Sequence, residues 1–284
     1  MTAGLNIAAL AQRTGVAPDT LRKWEQRYRI LQPTRTAGGQ RRYSERDVAR
    51  VEWLRARLDE GYRIGEAASL LGTAGVAPAR SAREHLNGIL DAVDDGSADQ
   101  IGVRLDQAFA LLGVDATLDD VLRPLLAEVG ERWADGRLSI ADEHLVSESV
   151  RSRLGHLLAD SGGGIRGTVV LTCAPGERHE LGLMMAAIAL RRDGWKIVYL
   201  GADTPLRDAV ALARRVGARV LGISLAMDER VAALERALRG AKPEELEVVV
   251  GGSAATRQVA KRLGATYAGA ELPSAVETLR RVAA

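Results

Sequence analysis

Residues 168–182 read TVVLTCAPGERHELG, and this stretch sets the fold class of the carboxyl-terminal part of the chain. Its apolar, β-branched start predicts a buried strand, the APG sequence at 174–176 predicts a turn, and a helical pattern follows. A buried strand, a loop and a helix form the repeating unit of a parallel α/β sheet. His179 is then expected on the loop at the carboxyl end of the strand, where open α/β sheets bind ligands.

His179 has two interpretations at this point. Neutral imidazole is a common ligand of transition metals, and Glu177 could accept the second ring N–H and orient the ring. A solvent-exposed histidine beside a carboxylate explains the same residues without a ligand. The segment alone leaves both interpretations open.

The alternation of strands and helices continues to the end of the chain. Strand patterns cover 167–173, 196–200, 219–224, 246–250 and 265–267. Helical patterns cover 179–192, 205–215, 228–240, 255–263 and 273–283. We therefore predict a Rossmann-like (flavodoxin-like) parallel-sheet domain over residues 166–284.

Two helical regions precede this domain, so the whole chain is predicted as multidomain α and α/β. Residues 81–160 have four helical segments and predict a four-helix bundle. Residues 1–75 predict a winged helix-turn-helix, with short helices around a glycine-rich loop. Small-residue segments at 72–80 and 161–164 predict linkers.

Composition and charge narrow the functional class. The net charge of +2 is uneven, because residues 1–75 carry +5 and the remainder −3, which favours nucleic-acid contact at one end. The single cysteine, Cys173, excludes an internal disulfide framework and a multi-cysteine zinc site. No apolar run reaches the length of a membrane span and no signal peptide is recognisable, so we expect a cytoplasmic protein without membrane contact.

Basic side chains on the predicted second helix and wing are candidates for DNA contact. On the helix, Arg22, Lys23 and Arg27 could reach base edges or phosphates in a major groove. On the wing, Arg35, Arg41 and Arg42 could contact the phosphate backbone. An ordinary solvated basic face explains the same residues.

Residues 5–72 resemble the DNA-binding domain of MerR-family transcription regulators. The resemblance rests on IAALA at 7–11, TGV at 14–16, TLRKWE at 20–25, and GQRRY at 39–43 followed by Asp47 and Val48. It implies a homodimer that binds a double-stranded promoter palindrome, and it adds Tyr43 to the DNA-binding residues. Metal-sensing members use cysteines that this chain lacks, so its signal must differ.

Three motifs at predicted strand ends suggest the ligand. They are Glu177-x-His179-x-x-Gly182, then Ser224-Leu225-Ala226, then Gly251-Gly252. A serine hydroxyl can hydrogen-bond a heteroaromatic nitrogen, and paired glycines let a bulky ligand approach the backbone. All three motifs are expected at one edge of the sheet.

This set resembles the cobalamin-binding domain shared by methionine synthase and the base-off/His-on mutases. The resemblance implies that His179 is the lower cobalt ligand and that the base tail lies along Ser224 and the two glycines. Two positions differ from the family pattern, since Glu177 stands where Asp is usual and Ala226 replaces a Leu.

The predicted bundle carries a further pattern, Trp133 followed by Glu143 and His144. Taken alone, these residues are equally well a core tryptophan and a surface pair. In context they resemble the helical cap of the CarH/LitR group of light-sensing MerR regulators, which implies that they border the upper face of adenosylcobalamin. That group commonly has a cobalt-binding histidine directly after the tryptophan, whereas this chain has Ala134, so the ligand after illumination stays open and His144 is one substitute.

These resemblances predict a cobalamin-dependent repressor, not an enzyme, that senses light through adenosylcobalamin and forms a dimer or tetramer. One alternative is a repressor that senses the level or type of cobalamin without light. Another is a corrinoid methyl carrier or mutase subunit, although the DNA-binding pattern argues against it. A drug-sensing MerR activator would leave the three sheet-edge motifs unexplained.

Overall fold

The computed structural model describes residues 5–28, 30–31, 33–35, 39–60, 62–73, 81–159, 164–241, 243–269 and 271–283. Most of both predicted linkers, residues 74–80 and 161–163, lies outside this description. The chain divides into two compact units, one of Met1–Ile89 with Val103–Thr117 and one of Leu90–Gly102 with Leu118–Ala284. This division does not follow the three domains predicted at 1–75, 81–160 and 166–284, whose boundaries stay a prediction.

The amino-terminal part is a winged helix-turn-helix, as predicted. Its elements are α1 (Ile7–Thr14), α2 (Pro18–Tyr28), α3 (Glu45–Asp59), α4 (Ile64–Thr73) and the antiparallel wing strands β1 (Thr34–Arg35) and β2 (Arg41–Arg42). Asn6 caps α1 by accepting from the Ala9 N–H at 2.8 Å, and Gly15 ends that helix at φ +70°. Ser44 and Asp47 form a capping box at the start of α3.

The next region is helical, as predicted. It contains α5 (Ala82–Asp94), α6 (Ala98–Leu112), the short α7 (Val114–Ala116), a π-helical turn (Thr117–Leu122), α8 (Arg123–Ala134) and α9 (Ile140–Ala159). The π-helical turn directly precedes α8, whose second residue, Pro124, has no N–H to donate to that turn. Across the described residues, no helix combines the length and apolar character that a membrane span requires.

The carboxyl-terminal part is the predicted α/β domain. Its strands are β3 (Thr168–Cys173), β4 (Lys196–Gly201), β5 (Val220–Ser224), β6 (Glu247–Gly251) and β7 (Thr266–Tyr267). Its helices are α10 (Leu181–Arg192), α11 (Leu206–Arg215), α12 (Val231–Ala241), α13 (Arg257–Arg262) and α14 (Leu272–Val282). The strands are parallel in the order β4-β3-β5-β6-β7, which is the flavodoxin-like order.

Alternate residues of the central strands face two apolar layers. Val170 and Leu221 pack on the side of α11 and α12, whereas Val169 and Leu171 pack on the side of α10 and α14. Because β3 pairs with a strand on each side, its carboxyl end is fixed in place. The loop that carries His179 starts from this fixed end.

Candidate functional site

The loop between β3 and α10 presents His179 to solvent. Gly176 turns the chain at φ +75°, a conformation that glycine adopts without strain. The His179 side chain is 66% exposed, although it follows a fully buried strand end. The imidazole is therefore accessible on a rigid support.

Glu177 orients this imidazole. Its side chain is only 1% exposed, and its Oε1 accepts from His179 Nδ1 at 2.6 Å and from the His179 backbone N–H at 3.1 Å. Its Oε2 accepts from the backbone N–H groups of Ala226 at 3.1 Å and Met227 at 3.0 Å. With the Nδ1 proton directed at the carboxylate, Nε2 is the nitrogen available to a metal.

The ionisation of Glu177 follows from these bonds. Burial alone would raise the pKa of this carboxyl, but the hydrogen bonds from His179 and Ala226 outweigh it, so the pKa is lowered. A buried carboxylate that stays charged is a strong acceptor for the ring N–H and so fixes the orientation of the ring.

The three predicted strand-end motifs meet at one edge of the sheet. Cys173 is in register with Ser224, and Ser224 is in register with Gly251. Ser224 is buried, and within the part of the chain that the structure describes no hydrogen bond involves its hydroxyl. That hydroxyl is available to a ligand.

The three predicted glycine positions differ in what a side chain would meet there. A Cβ on Gly252, which has φ +110°, would lie 2.4 Å from the Leu225 carbonyl oxygen, so the fold itself requires glycine there. A Cβ on Gly251 would lie 3.1 Å from the Ala268 Cβ. A Cβ on Gly182, in the first turn of α10, would meet no described atom within 4 Å, so space is open above it.

A cavity of about 340 Å³ lies at the other side of the sheet, beside the outer strand β7. Its lining includes Arg257, Tyr267, Ser274 and Thr278 and none of the residues of the three motifs. This cavity is therefore not part of the predicted site.

The start of α9 carries a second carboxylate–imidazole pair. Glu143 Oε2 lies 2.5 Å from His144 Nδ1, and Glu143 Oε1 accepts from the Ser147 hydroxyl at 2.5 Å. Burial would raise the pKa of Glu143, but Ser147, His144 and the nearby ring of His179 together lower it.

Trp133 lies in the last turn of α8 and is 51% exposed, and the exposed Ala134 follows it. Its indole is therefore accessible to a ligand. Trp133, Glu143, His144 and His179 all belong to the second compact unit.

Cys173 is buried, and its thiol lies 3.9 Å from the His179 carbonyl oxygen. Burial, with smaller contributions from Glu180 and Glu177, raises its pKa to about 12. The thiol is therefore protonated at neutral pH.

The DNA-binding candidates on α2 lie at the surface of the first unit. Arg22 forms an exposed ion pair with Asp19 at 2.7 Å, and the Arg27 guanidinium lies 5.5 Å from the Tyr28 ring centre. Lys23 is also exposed. Such surface pairs are weak and can be exchanged for phosphate contacts.

The wing candidates differ from the prediction in one respect. Arg35 lies on β1 and Arg42, half-buried, on β2, while the exposed Arg41 donates to Glu25 at 2.8 Å. Tyr43 is completely buried, and its hydroxyl donates to Glu25 at 2.8 Å. The predicted direct contact of Tyr43 with DNA is therefore wrong. Its ring lies in the core beneath the wing and supports the wing from below.

Comparisons with protein families agree with this arrangement. The model of the MerR HTH family of regulatory proteins matches residues 5–73. Two B12-binding domain models match residues 85–158 and 167–279.

The HTH-type transcriptional repressor CarH of Myxococcus xanthus is 38% identical over 267 residues, which cover 88% of this chain and 89% of CarH. The chain belongs to the family of MerR regulators that carry B12-binding domains. Another member, the HTH-type transcriptional repressor CarA of the same organism, is 35% identical over 276 residues, 93% of this chain and 92% of CarA.

A solved structure shares the fold of the B12-binding part of this MerR-family regulator. The monomethylamine corrinoid protein of Methanosarcina barkeri matches with a TM-score of 0.62 and 16% identity. The match covers 71% of this chain and 100% of the corrinoid protein. At this identity the match shows the fold alone.

Sequence reasoning missed a polar network next to His179. Arg151 on α9 and Tyr199 on β4 both donate to Glu180. The spacing of Glu143, Ser147 and Arg151 at every fourth position was the one available signal, since it places these residues on one helix face.

Proposed function

We propose that this chain is a cobalamin-dependent transcriptional repressor that binds adenosylcobalamin with His179 as lower cobalt ligand and responds to light. The observation that carries the proposal is the free Nε2 of His179, with Nδ1 bonded to a buried carboxylate at the ligand-binding edge of the sheet. The names of CarH and CarA support repression as the direction of control.

The described residues fit a corrinoid. A corrin ring fills the equatorial positions of its cobalt, so one accessible imidazole nitrogen is the donor that the lower face requires. Ser224 offers an unbonded hydroxyl for the base tail, and the open space above Gly182 leaves room for the ring. Gly251 and Gly252 would let the tail lie close to the sheet.

On the upper face, the exposed indole of Trp133 would pack on the adenosyl group, with Glu143 and His144 at its border. Adenosylcobalamin, when bound, supplies a cobalt–carbon bond that visible light breaks. The indole would then lose its packing partner, and a site built for that partner would favour a different arrangement of the helical cap, proposed as residues 81–160.

Regulation would pass through assembly. In the dark form a homo-oligomer, dimer or tetramer, would present several helix-turn-helix modules to a promoter palindrome, with Arg22, Lys23, Arg27, Arg35, Arg41 and Arg42 facing DNA. Joined modules bind far more tightly than single ones, so loss of assembly would release the promoter. We propose a regulator without catalytic activity.

Absorbance spectra and size-exclusion profiles of the full chain with adenosylcobalamin, in darkness and after illumination, test this function. We expect a spectral change and a smaller assembly after light. His179→Ala should abolish the spectrum of imidazole-bound cobalt, whereas the control His156→Ala, an exposed histidine on α9, should not. An unchanged spectrum in His179→Ala would contradict the ligand assignment.

Ala134 favours a second candidate, a repressor that senses cobalamin without light. Its methyl side chain offers no donor to cobalt after loss of the adenosyl group. This candidate predicts an identical size-exclusion profile in darkness and after illumination, but a different profile with and without adenosylcobalamin.

A further inference from the structure

Glu180, the residue after His179, is the meeting point of three elements. Its Oε1 accepts from the Arg151 guanidinium of α9. Its Oε2 accepts from the Tyr199 hydroxyl of β4 at 3.0 Å and from the Ala202 backbone N–H at 3.2 Å. One carboxylate therefore connects a helix, a strand and the loop that follows the strand.

The end of β4 is shaped to admit this carboxylate. Gly201 has φ +73°, and a Cβ at this position would lie 2.7 Å from Glu180 Oε2. Glycine at 201 therefore permits both the turn and the close approach of Glu180. The side chain of Glu180 is mostly buried, so its bonds are shielded from water.

Helix α9 presents Arg151 on the same face as Glu143 and Ser147. These three residues are four positions apart, so they form one stripe along the helix. Arg151, at one end of the stripe, contacts Glu180. The stripe therefore reaches the residue that directly follows His179.

Two carboxylates, one before and one after His179 in the sequence, form hydrogen bonds to different parts of the fold. Glu177 bonds to the loop after β5, whereas Glu180 bonds to β4 and to α9. The bonds of Glu177 are sufficient to orient the imidazole. The Arg151–Glu180 ion pair does something different, because it fixes α9 relative to the loop.

We propose that Arg151 and Glu180 are positioning residues that set the spacing between α9 and His179, and so adapt the site to corrinoids with a bulky upper group. This inference rests on the proposed function, since it takes His179 as the lower ligand. On this proposal a small upper group makes little contact with α9, so its binding depends little on where α9 lies. A large upper group contacts α9 only if the Arg151–Glu180 pair holds that helix at its distance from His179.

The test compares the affinities of the full chain for adenosylcobalamin and methylcobalamin, measured in darkness by absorbance titration. We expect Arg151→Ala to weaken adenosylcobalamin binding about tenfold and methylcobalamin binding less than about threefold. The spectrum of imidazole-bound cobalt should persist. Arg151→Lys, which keeps a positive donor, should recover part of the selectivity, and Arg239→Ala, which removes an exposed Arg–Glu pair on α12, should leave both affinities unchanged.

Equal losses for both cobalamins would overturn the inference, because they indicate a purely structural role for Arg151. Unchanged affinities would overturn it as well, and so would an Arg151→Lys protein that folds but shows the selectivity of Arg151→Ala. Failure of the proposed function can be told apart from failure of this inference. It would appear as an unaltered spectrum in His179→Ala, a measurement that is independent of the ratio of the two affinities.

Discussion

Replacement of the buried carboxylate of Glu177 by an amide tests how the His179 loop is fixed. The two carboxylate oxygens accept four hydrogen bonds, two from His179 and one each from the backbone N–H groups of Ala226 and Met227. In Glu177→Gln one acceptor oxygen becomes an NH₂ donor. Whichever way the amide is oriented, two of the donors lose their acceptor.

The expected magnitude follows from burial. Leaving a buried donor without an acceptor costs about 1–3 kcal/mol, so Glu177→Gln should lower the free energy of unfolding of the second unit by about 2–4 kcal/mol. If the new NH₂ faces His179, the ring accepts from it only by moving the ring proton to Nε2. The nitrogen proposed to bind cobalt would then be blocked.

Hydrogen exchange of the full chain without cobalamin measures this change, read on the peptides that contain β3 and β5. The control is Glu245→Gln, whose exposed carboxylate pairs with Arg214 at 3.5 Å. Surface pairs contribute little, so the control should change the stability by less than about 1 kcal/mol. A Glu177→Gln effect no larger than the control's would refute the role of the carboxylate.

Four further predictions concern the ionisation of Glu177, two glycines of the site and the DNA-binding surface. Because the pKa of Glu177 is lowered in the fold, its contribution to stability is present above the ordinary carboxyl value of 4.5 and is lost as pH falls through the lowered value. Acid titration should therefore narrow the stability gap between the wild type and Glu177→Gln below pH 4.5. Gly252→Ala should destabilise the protein without ligand by about 2 kcal/mol or more in thermal unfolding, through the backbone clash. Gly182→Ala should instead raise its stability by up to about 1 kcal/mol through helix propensity, while calorimetry with adenosylcobalamin shows weaker binding. Lys23→Ala should reduce the slope of log DNA affinity against log salt by about one, whereas Tyr43→Phe should leave it unchanged but lower stability by about 1 kcal/mol.

Local features of the fold were predictable from the sequence because short-range chemistry determines them. The capping box of Ser44 and Asp47 depends on residues three apart, and the buried strand at 168–173 depends on a continuous apolar run. The start of α10 was predicted at His179 but lies at Leu181. The hydrogen bonds of Glu177 to a distant loop keep the residues around His179 out of the helix.

Features that depend on distant partners were not predictable. The burial of Tyr43 depends on an antiparallel bridge to Leu5 and on a hydrogen bond to Glu25, which no periodicity reveals. The Arg151–Glu180 pair joins residues 29 positions apart in different elements. The strand-end motifs, by contrast, were predictable, because parallel strands bring their carboxyl ends to one edge.

The protonated state of the Cys173 thiol limits its reactivity towards oxidants and electrophiles. A buried thiol with a pKa of about 12 has almost no thiolate at neutral pH, and the thiolate is the form that oxidants and electrophiles attack. It is also the form that would compete with an imidazole for cobalt. With its single cysteine kept in this form, the chain offers peroxide and disulfide exchange no reactive thiolate at neutral pH.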